Sequence, residues 1–420
     1  MIFIYLITLI IAPQLWLEPF IGIRTDIVIY PLWFLVLVMQ GKMNDIFNFK
    51  VMDKFILAFI IWVALSAALN DGNFGTTKLI TDYFKWFVLY RLIVVSLDSF
   101  DDIKSAIHKL VFLIYVIVLE GIQHKQSADG IGWAGQTLGW VDGSVLAAGG
   151  TGRTQWINIF DGPGVFCVMY TLALPFIIQF FDKHYAFKTK LVALVALAPL
   201  LIAIWYTGSR GGFLATLGIM GLYVVFRLAK KYGISITHML FAGGLMASAL
   251  MLAPSHLTQV KDENNSAQHR VDMWMQGIEM VQNNPLFGIG RGNYSVYTGT
   301  LIAHNSAIEI MGEVGLVGLF LWIFMFYLSF KHLFVLATTS TNEVEVSYAK
   351  AIALCFCGYL ISSMFVTLEY ETMYLLFAFA AASGNLHKQE LELRGNDYMI
   401  VGGVTLGWVF IVKVFTSLYY

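Results

Sequence analysis

The chain has 420 residues, of which 58% are hydrophobic and 13% charged, with a formal net charge of −1. A soluble domain carries about 25% charged residues, so this composition excludes a soluble enzyme and defines an all-α polytopic membrane protein. The charge balance gives no footprint for nucleic acid, and the three cysteines, Cys167, Cys355 and Cys357, lie in apolar segments where they serve helix packing, with no disulfide framework and no zinc-type spacing.

Apolar runs predict about 12–13 transmembrane helices: 2–17, 27–40, 55–69, 80–97, 106–123, 162–181, 190–206, 212–227, 236–253, 314–336, 349–367, 372–386 and 398–416. The first lacks a basic leader and a small-residue cleavage site, so it is read as a retained span. The fourth is interrupted by Asp82, Lys85 and Arg91. Alternate loops carry Lys42, Lys50 and Lys54; Lys104 and Lys109; Lys183, Lys188 and Lys190; Arg227, Lys230 and Lys231; Lys331 and Lys350; and Lys388 and Arg394. The positive-inside rule makes these loops and the N-terminus cytoplasmic. Two long loops then fall outside, 124–161 and 254–304. The expected organisation is spans over 1–123, an outer loop over 124–161, spans over 162–253, a periplasmic catalytic loop with amphipathic helices over 254–313, and C-terminal spans over 314–420. The cytoplasmic loops are short and hold no phosphate loop, so chemistry on the outer face needs a donor activated without a nucleotide.

Loop 124–161 is rich in glycine and tryptophan. Trp133, Trp140 and Trp156 read as interfacial anchors, with sugar stacking as the alternative, and Arg153 and Asp161 are candidate site residues near the next span. Between two apolar spans the chain turns through Thr207-Gly208-Ser209-Arg210-Gly211-Gly212. Arginine among open glycine amides is an anion clamp; the plainer reading is a snorkelling side chain. Inside the spans, Lys85 and Glu120 are placed to pair or to snorkel, and Arg91 is a buried charge of the kind that marks function by default.

Segment 266–283 predicts an amphipathic helix, with Val271, Trp274, Met275, Ile278 and Val281 at helical spacing, Ser266 at its start and Pro285 beyond its end. Such a helix lies on the membrane and brings Arg270 to a lipid phosphate. The glycines at 288, 290 and 292 have no strand before them and do not form a dinucleotide loop; they make a flexible turn that positions Arg291. His304 then leads a helix continuing to Gly318, on which Asn305, Glu309 and Glu313 share one face. His304 is the candidate general base; Glu369 and Glu371 on a short outer loop are alternatives.

Gly288-x-Gly290, then Ala303-His304-Asn305, then Gly315-x-x-Gly318, with Ser209-Arg210-Gly211-Gly212 upstream and the helix from Arg270 into Asn284-Pro285-Leu286-Phe287-Gly288, resembles the signature of the bacterial O-antigen ligase and polymerase superfamily. That resemblance covers about 200–320 firmly and the first 120 residues only by span pattern. It implies an integral inner-membrane glycosyltransferase of the GT-C type in lipopolysaccharide or other surface-polysaccharide assembly. It implies an undecaprenyl-pyrophosphate-linked glycan as donor, a lipid-linked glycan or lipid A–core as acceptor, no metal or other cofactor, and a chain-length regulator as partner. By position, Arg210 and Arg270 resemble the arginines that hold the donor diphosphate; Arg291 on the glycine turn and Arg153 are further candidates for it. His304 resembles the histidine that activates the acceptor hydroxyl, with Asn305, Glu309, Glu313 and Asp161 in support. The loop from Arg270 to His304 is short for a ligase, and Asp161-Gly162-Pro163-Gly164 departs from the usual asparagine-containing pattern, which leaves the acceptor open. The competing class is a transporter or flippase of lipid-linked glycans, which would line a through-path with charge and need no base; a non-catalytic scaffold leaves the arginines and histidine unexplained.

Overall fold

The structure, a computed structural model, describes residues 1–70, 74–139, 152–160, 162–232, 266–299, 302–386 and 391–418. Trp140, Asp161 and the predicted span 236–253 lie outside the described residues. A helix forms at every predicted span within them, and among them no strand forms beyond two isolated bridges, Ile131 with Thr137 and Gly139 with Arg153. Seven described helices are long and apolar enough to cross a membrane: Val51–Leu69, Phe100–Gln126, Pro163–Phe181, Phe187–Thr207, Ser306–Thr339, Glu343–Ser363 and Gly395–Ser417. The chain is therefore a polytopic helical membrane protein. The predicted first span is shorter than expected: α1 (Ile2–Ile10) stops at Ala12, whose φ of 50° is left-handed.

The chain falls into two compact units, one of residues 1–48, 88–221 and 329–390, the other of 49–87, 222–328 and 391–420. In the first, α2 is Thr25–Met39, α3 Met43–Phe47 and α6 Phe100–Gln126; α7 (Pro163–Ile178) packs against α8 (Phe187–Thr207) and α13 (Glu343–Ser363). Lipid is as apolar as leucine, so helix association there rests on close packing and internal hydrogen bonds. Small residues supply the close packing: Ala351, Cys355 and Gly358 are buried on α13, and the Cys355 thiol donates to the Leu172 carbonyl at 3.4 Å. Ser99 caps α6, its Oγ accepting from the Asp102 amide at 3.2 Å while Asp102 Oδ2 accepts from the Ser99 amide at 3.0 Å.

Arg91, on α5 (Phe74–Ser96), is not a free functional charge. It is buried and donates to the carbonyls of Asp45, Ile46 and Asn48. These are carbonyls at the end of α3, where a cation complements the helix dipole. Trp156 is likewise no interfacial anchor: it is 1% exposed, and its Nε1 donates to the Ile10 carbonyl at 2.7 Å. Trp133 remains partly exposed, its Nε1 on Gln123 Oε1 at 2.7 Å. Glu120 is buried and accepts from Gln136 Nε2 at 2.6 Å.

The second unit holds α4 (Val51–Leu69), α10 (Ser266–Asn283), the short α11 (Tyr294–Thr298), most of α12 (Ser306–Thr339), which is broken, and α15 (Gly395–Ser417). Lys85 there pairs with Asp82 at 3.5 Å. The expected helix to Gly318 is not continuous. Gly315 has φ 72° and ψ −171°, a conformation essentially confined to glycine. The break frees carbonyls that hydrocarbon could not satisfy, and two other segments take them. Ile289 N and Gly290 N donate to Gly312 O and Glu313 O at 3.1 and 2.8 Å. Trp62 Nε1 donates to Val314 O at 2.9 Å, and Ser66 Oγ to Glu313 O at 3.0 Å. In return Leu316 N donates to Pro285 O at 2.8 Å, and Trp62 stacks on Phe287 with ring centres 4.5 Å apart. The glycine turn is thus pinned, where the sequence predicts flexibility. A Cβ at Gly315 would strike the Leu286 carbonyl and sit 2.8 Å from Phe287 N. Gly315→Ala is expected to lose ~1–3 kcal/mol from backbone strain alone and more from the clash, read as a lower unfolding midpoint in detergent; an unchanged midpoint counts against the docked break.

Candidate functional site

The second unit holds the histidine. Asn305 starts α12: its Oδ1 accepts from Ile308 N at 3.2 Å and its carbonyl from Glu309 N at 3.0 Å, the N-cap arrangement asparagine favours. His304, just before it, has φ 50°. A left-handed non-glycine residue is uncommon, and histidine tolerates it better than most; such strain gathers at working sites. The loop is held from behind by α10, whose Trp274 donates through Nε1 to the Ala303 carbonyl at 3.0 Å. Of its predicted apolar stripe, Val271, Ile278 and Val281 are buried and Trp274 half-buried, while Met275 is exposed.

His304 and Arg270 are both partly buried. Burial first, and then the Arg270 charge, hold the His304 imidazole below its usual pKa. At neutral pH the ring is therefore uncharged and able to accept a proton. The sign of the pH dependence follows. A base active in its neutral form loses activity as pH falls through its own pKa, here below the ordinary imidazole value of 6.5. Transfer is expected to stay flat from pH 8 to about 6.5 and fall only below it, with Arg270→Gln moving that limb upward. A limb above about 7 in the wild type would contradict a depressed imidazole.

Arg291, expected at the donor diphosphate, is committed elsewhere. It is buried, with Nη1 on Glu313 Oε2 and, at 3.3 Å, on Glu309 Oε1, while Nε donates to Tyr83 OH at 3.0 Å. Glu313 Oε1 also accepts from Tyr294 N at 2.8 Å. Burial, then Glu309 and Glu313, raise the Tyr294 pKa and keep its hydroxyl protonated, and it donates to the Met273 carbonyl at 2.5 Å. Glu309 and Glu313 share a face as expected, but that face meets Arg291. The cluster ties the loop, α11, α10 and α12 together just behind the histidine.

The first unit carries the other arginines. Arg153 donates through Nε to the Thr207 carbonyl at the end of α8 at 2.8 Å. Gly208 follows in the left-handed conformation, and Ser209 Oγ accepts from Gly212 N at 3.1 Å to start α9 (Arg210–Tyr232). Arg210 is exposed. Burial, with the Arg210 charge adding to it, lowers the Arg153 pKa, so the two guanidinium groups feel each other. Among the described residues neither is within ion-pair distance of a carboxylate. Two neighbouring arginines at a helix N-terminus are equipped to bind an anion. Of the alternative bases, Glu369 is buried and Glu371 opens α14 (Glu371–Leu386). Tyr83, Trp274 and Tyr294 build the site without any sequence pattern that marks them for it. One signal does exist for the docked break: Trp62, Ser66 and Asn70 recur every four residues along a stretch otherwise apolar from Phe55 on, a polar stripe that needs partners.

Fold and site define a multi-pass membrane protein with a histidine-bearing loop locked onto a broken span. Residues 194–323 match the family model described as O-Antigen ligase. That stretch holds Arg210, Arg270, Arg291, His304 and the Gly315 break, and the match supports the resemblance to the O-antigen ligase and polymerase superfamily. No curated protein matches the chain.

Proposed function

We propose that this protein transfers a glycan from an undecaprenyl-pyrophosphate carrier, at the periplasmic face of a bacterial inner membrane, in O-antigen or related surface-polysaccharide assembly. The observation that carries the reading is His304, left-handed, partly buried and held neutral beside Arg270, inside the stretch matched by the family model. The neutral imidazole takes the proton of the acceptor hydroxyl as that oxygen attacks the anomeric carbon. The sugar–phosphate bond breaks, and its electron pair leaves with the lipid diphosphate. Arg270 faces the growing charge beside the base; Arg153 and Arg210 of the first unit are a second phosphate clamp. Preorganised cations of this kind, aimed where charge develops, commonly supply the greater part of the rate enhancement in group transfer. A single displacement inverts the anomeric centre, and the arginines carry the charge that a metal would otherwise neutralise.

The testing experiment is deletion of the gene in its host, with surface glycan resolved on a gel. Lipid A–core bearing one repeat unit identifies a polymerase; long polymer retained on undecaprenyl pyrophosphate identifies a ligase. Unchanged glycan on both lipids overturns the reading for that polymer. Arg210→Lys is expected to lower transfer by about tenfold or more, because a point charge does not reproduce the bidentate fork on a phosphate. Full activity in that variant removes the clamp from the mechanism.

A further inference from the structure

Within the second unit, Trp274, Asn305, Ile308, Trp408, Ile411 and Phe415 are among the residues that line a cavity of about 260 Å³. It is bounded by α10, the start of α12 and the membrane-spanning α15. Its walls are almost wholly hydrocarbon, and Phe410, Ile411, Val414 and Leu418, which also line it, are exposed on the outside of α15. The cavity is therefore continuous with the lipid-facing surface of that helix.

Two of the lining residues, Asn305 and Trp408, carry buried N–H donors. Asn305 is fully buried, and its Oδ1 is fixed by the Ile308 amide, which sets the amide's orientation and leaves Nδ2 as the donor. That Nδ2 has no acceptor among the described residues, and neither has the buried Nε1 of Trp408. Buried donors are almost always paired, so an occupant made only of hydrocarbon fits the walls and fails the two N–H groups. Among the described residues no lysine or arginine lines the cavity, so it offers nothing to a phosphate. A fatty-acyl chain with its ester carbonyl meets both demands: methylenes for the walls and a neutral acceptor for the amide. A polyprenyl chain meets only the first.

We propose that this cavity binds one acyl chain of a bilayer glycerolipid, with the ester carbonyl accepting from Asn305 Nδ2 or Trp408 Nε1. The site is distinct from the glycan-transfer reading and does not depend on it. A lipid seated there would buttress Asn305, the residue next to His304.

The test uses the full-length protein in nanodiscs containing phosphatidylethanolamine with a photoreactive group in one acyl chain. Labelling is expected to concentrate on peptides covering 302–311 and 404–418, above that on the equally lipid-exposed Phe187–Thr207 helix. Ile308→Trp, which fills the cavity, and Trp408→Phe, which deletes a donor, are expected to cut that excess by about fivefold and twofold, the scale of losing one contact or one hydrogen bond. Val414→Trp fills the cavity from the membrane side and serves if Ile308→Trp unfolds. Labelling no greater than on the reference helix, or unchanged in a folded cavity-filling variant, overturns the proposal. So does displacement of the acyl probe by equimolar polyprenyl monophosphate, which would make the cavity an isoprenoid site. His304→Asn, which keeps the left-handed backbone and removes the base, is expected to keep the labelling, so loss of the transfer reading and loss of this one are separately visible.

Discussion

His304→Ala is expected to lower glycan transfer by about 10²–10⁴-fold, the usual contribution of a positioned base, while the protein still inserts and binds donor. Alanine changes two things at this position, however. It removes the imidazole, and it places a residue poorly suited to φ 50° where histidine is tolerated. The left-handed conformation costs alanine ~1–2 kcal/mol, which is enough to shift the loop that Trp274 holds through the Ala303 carbonyl. His304→Asn separates the two effects. Asparagine accepts the left-handed backbone and offers hydrogen bonds, but has no basic nitrogen. The base role predicts that the asparagine and alanine variants are about equally inactive in a reconstituted assay with labelled lipid-linked glycan. Near-normal transfer by the asparagine variant, with donor retained, would show that His304 shapes the loop and that the proton goes elsewhere.

What is legible in the sequence is what depends on local pattern. Apolar runs place a helix at each predicted span within the described residues, and the stripe of α10 reads off at every predicted position but the exposed Met275, because periodicity survives whatever the tertiary contacts are. Asn305 leading a helix, and Glu309 and Glu313 on one face of it, follow from the same rule. The misreadings share a different origin. Arg291 and Trp156 are each read from the company a residue type usually keeps at a membrane surface, and Arg91 from the functional role usual for a charge inside a span. Each finds instead a partner fixed by tertiary approach: Arg291 the carboxylates of α12, Arg91 the carbonyls at the end of α3, Trp156 the Ile10 carbonyl. The Gly315 break is hidden because glycine in a span is also a common packing residue; only the docking of 285–290 into the helix distinguishes the two uses. Asp161 lies outside the described residues, and its role stays an expectation of the sequence.

Arg291→Leu and Glu313→Leu, made singly, are expected to destabilise the protein by ~3–5 kcal/mol each, because either one strands a buried charge. The Glu313 variant has a second cost: Tyr294 N loses its acceptor at Glu313 Oε1, worth ~1–3 kcal/mol when left buried and unpaired. The double variant Arg291→Met/Glu313→Leu removes both charges and is expected to recover much of the loss, since hydrophobic replacement of a buried pair is often neutral. Recovery will be incomplete, because Glu309 Oε1 also loses its guanidinium, 3.3 Å away. Unfolding midpoints in detergent, set out as a double-mutant cycle, measure this coupling directly. The same proteins then decide what the arginine is for. If Arg291 only braces the histidine loop, transfer should return in the double variant in proportion to its recovered stability. If the double variant is folded and transfer is still absent, then Arg291 meets the donor after all, leaving its carboxylates when substrate binds.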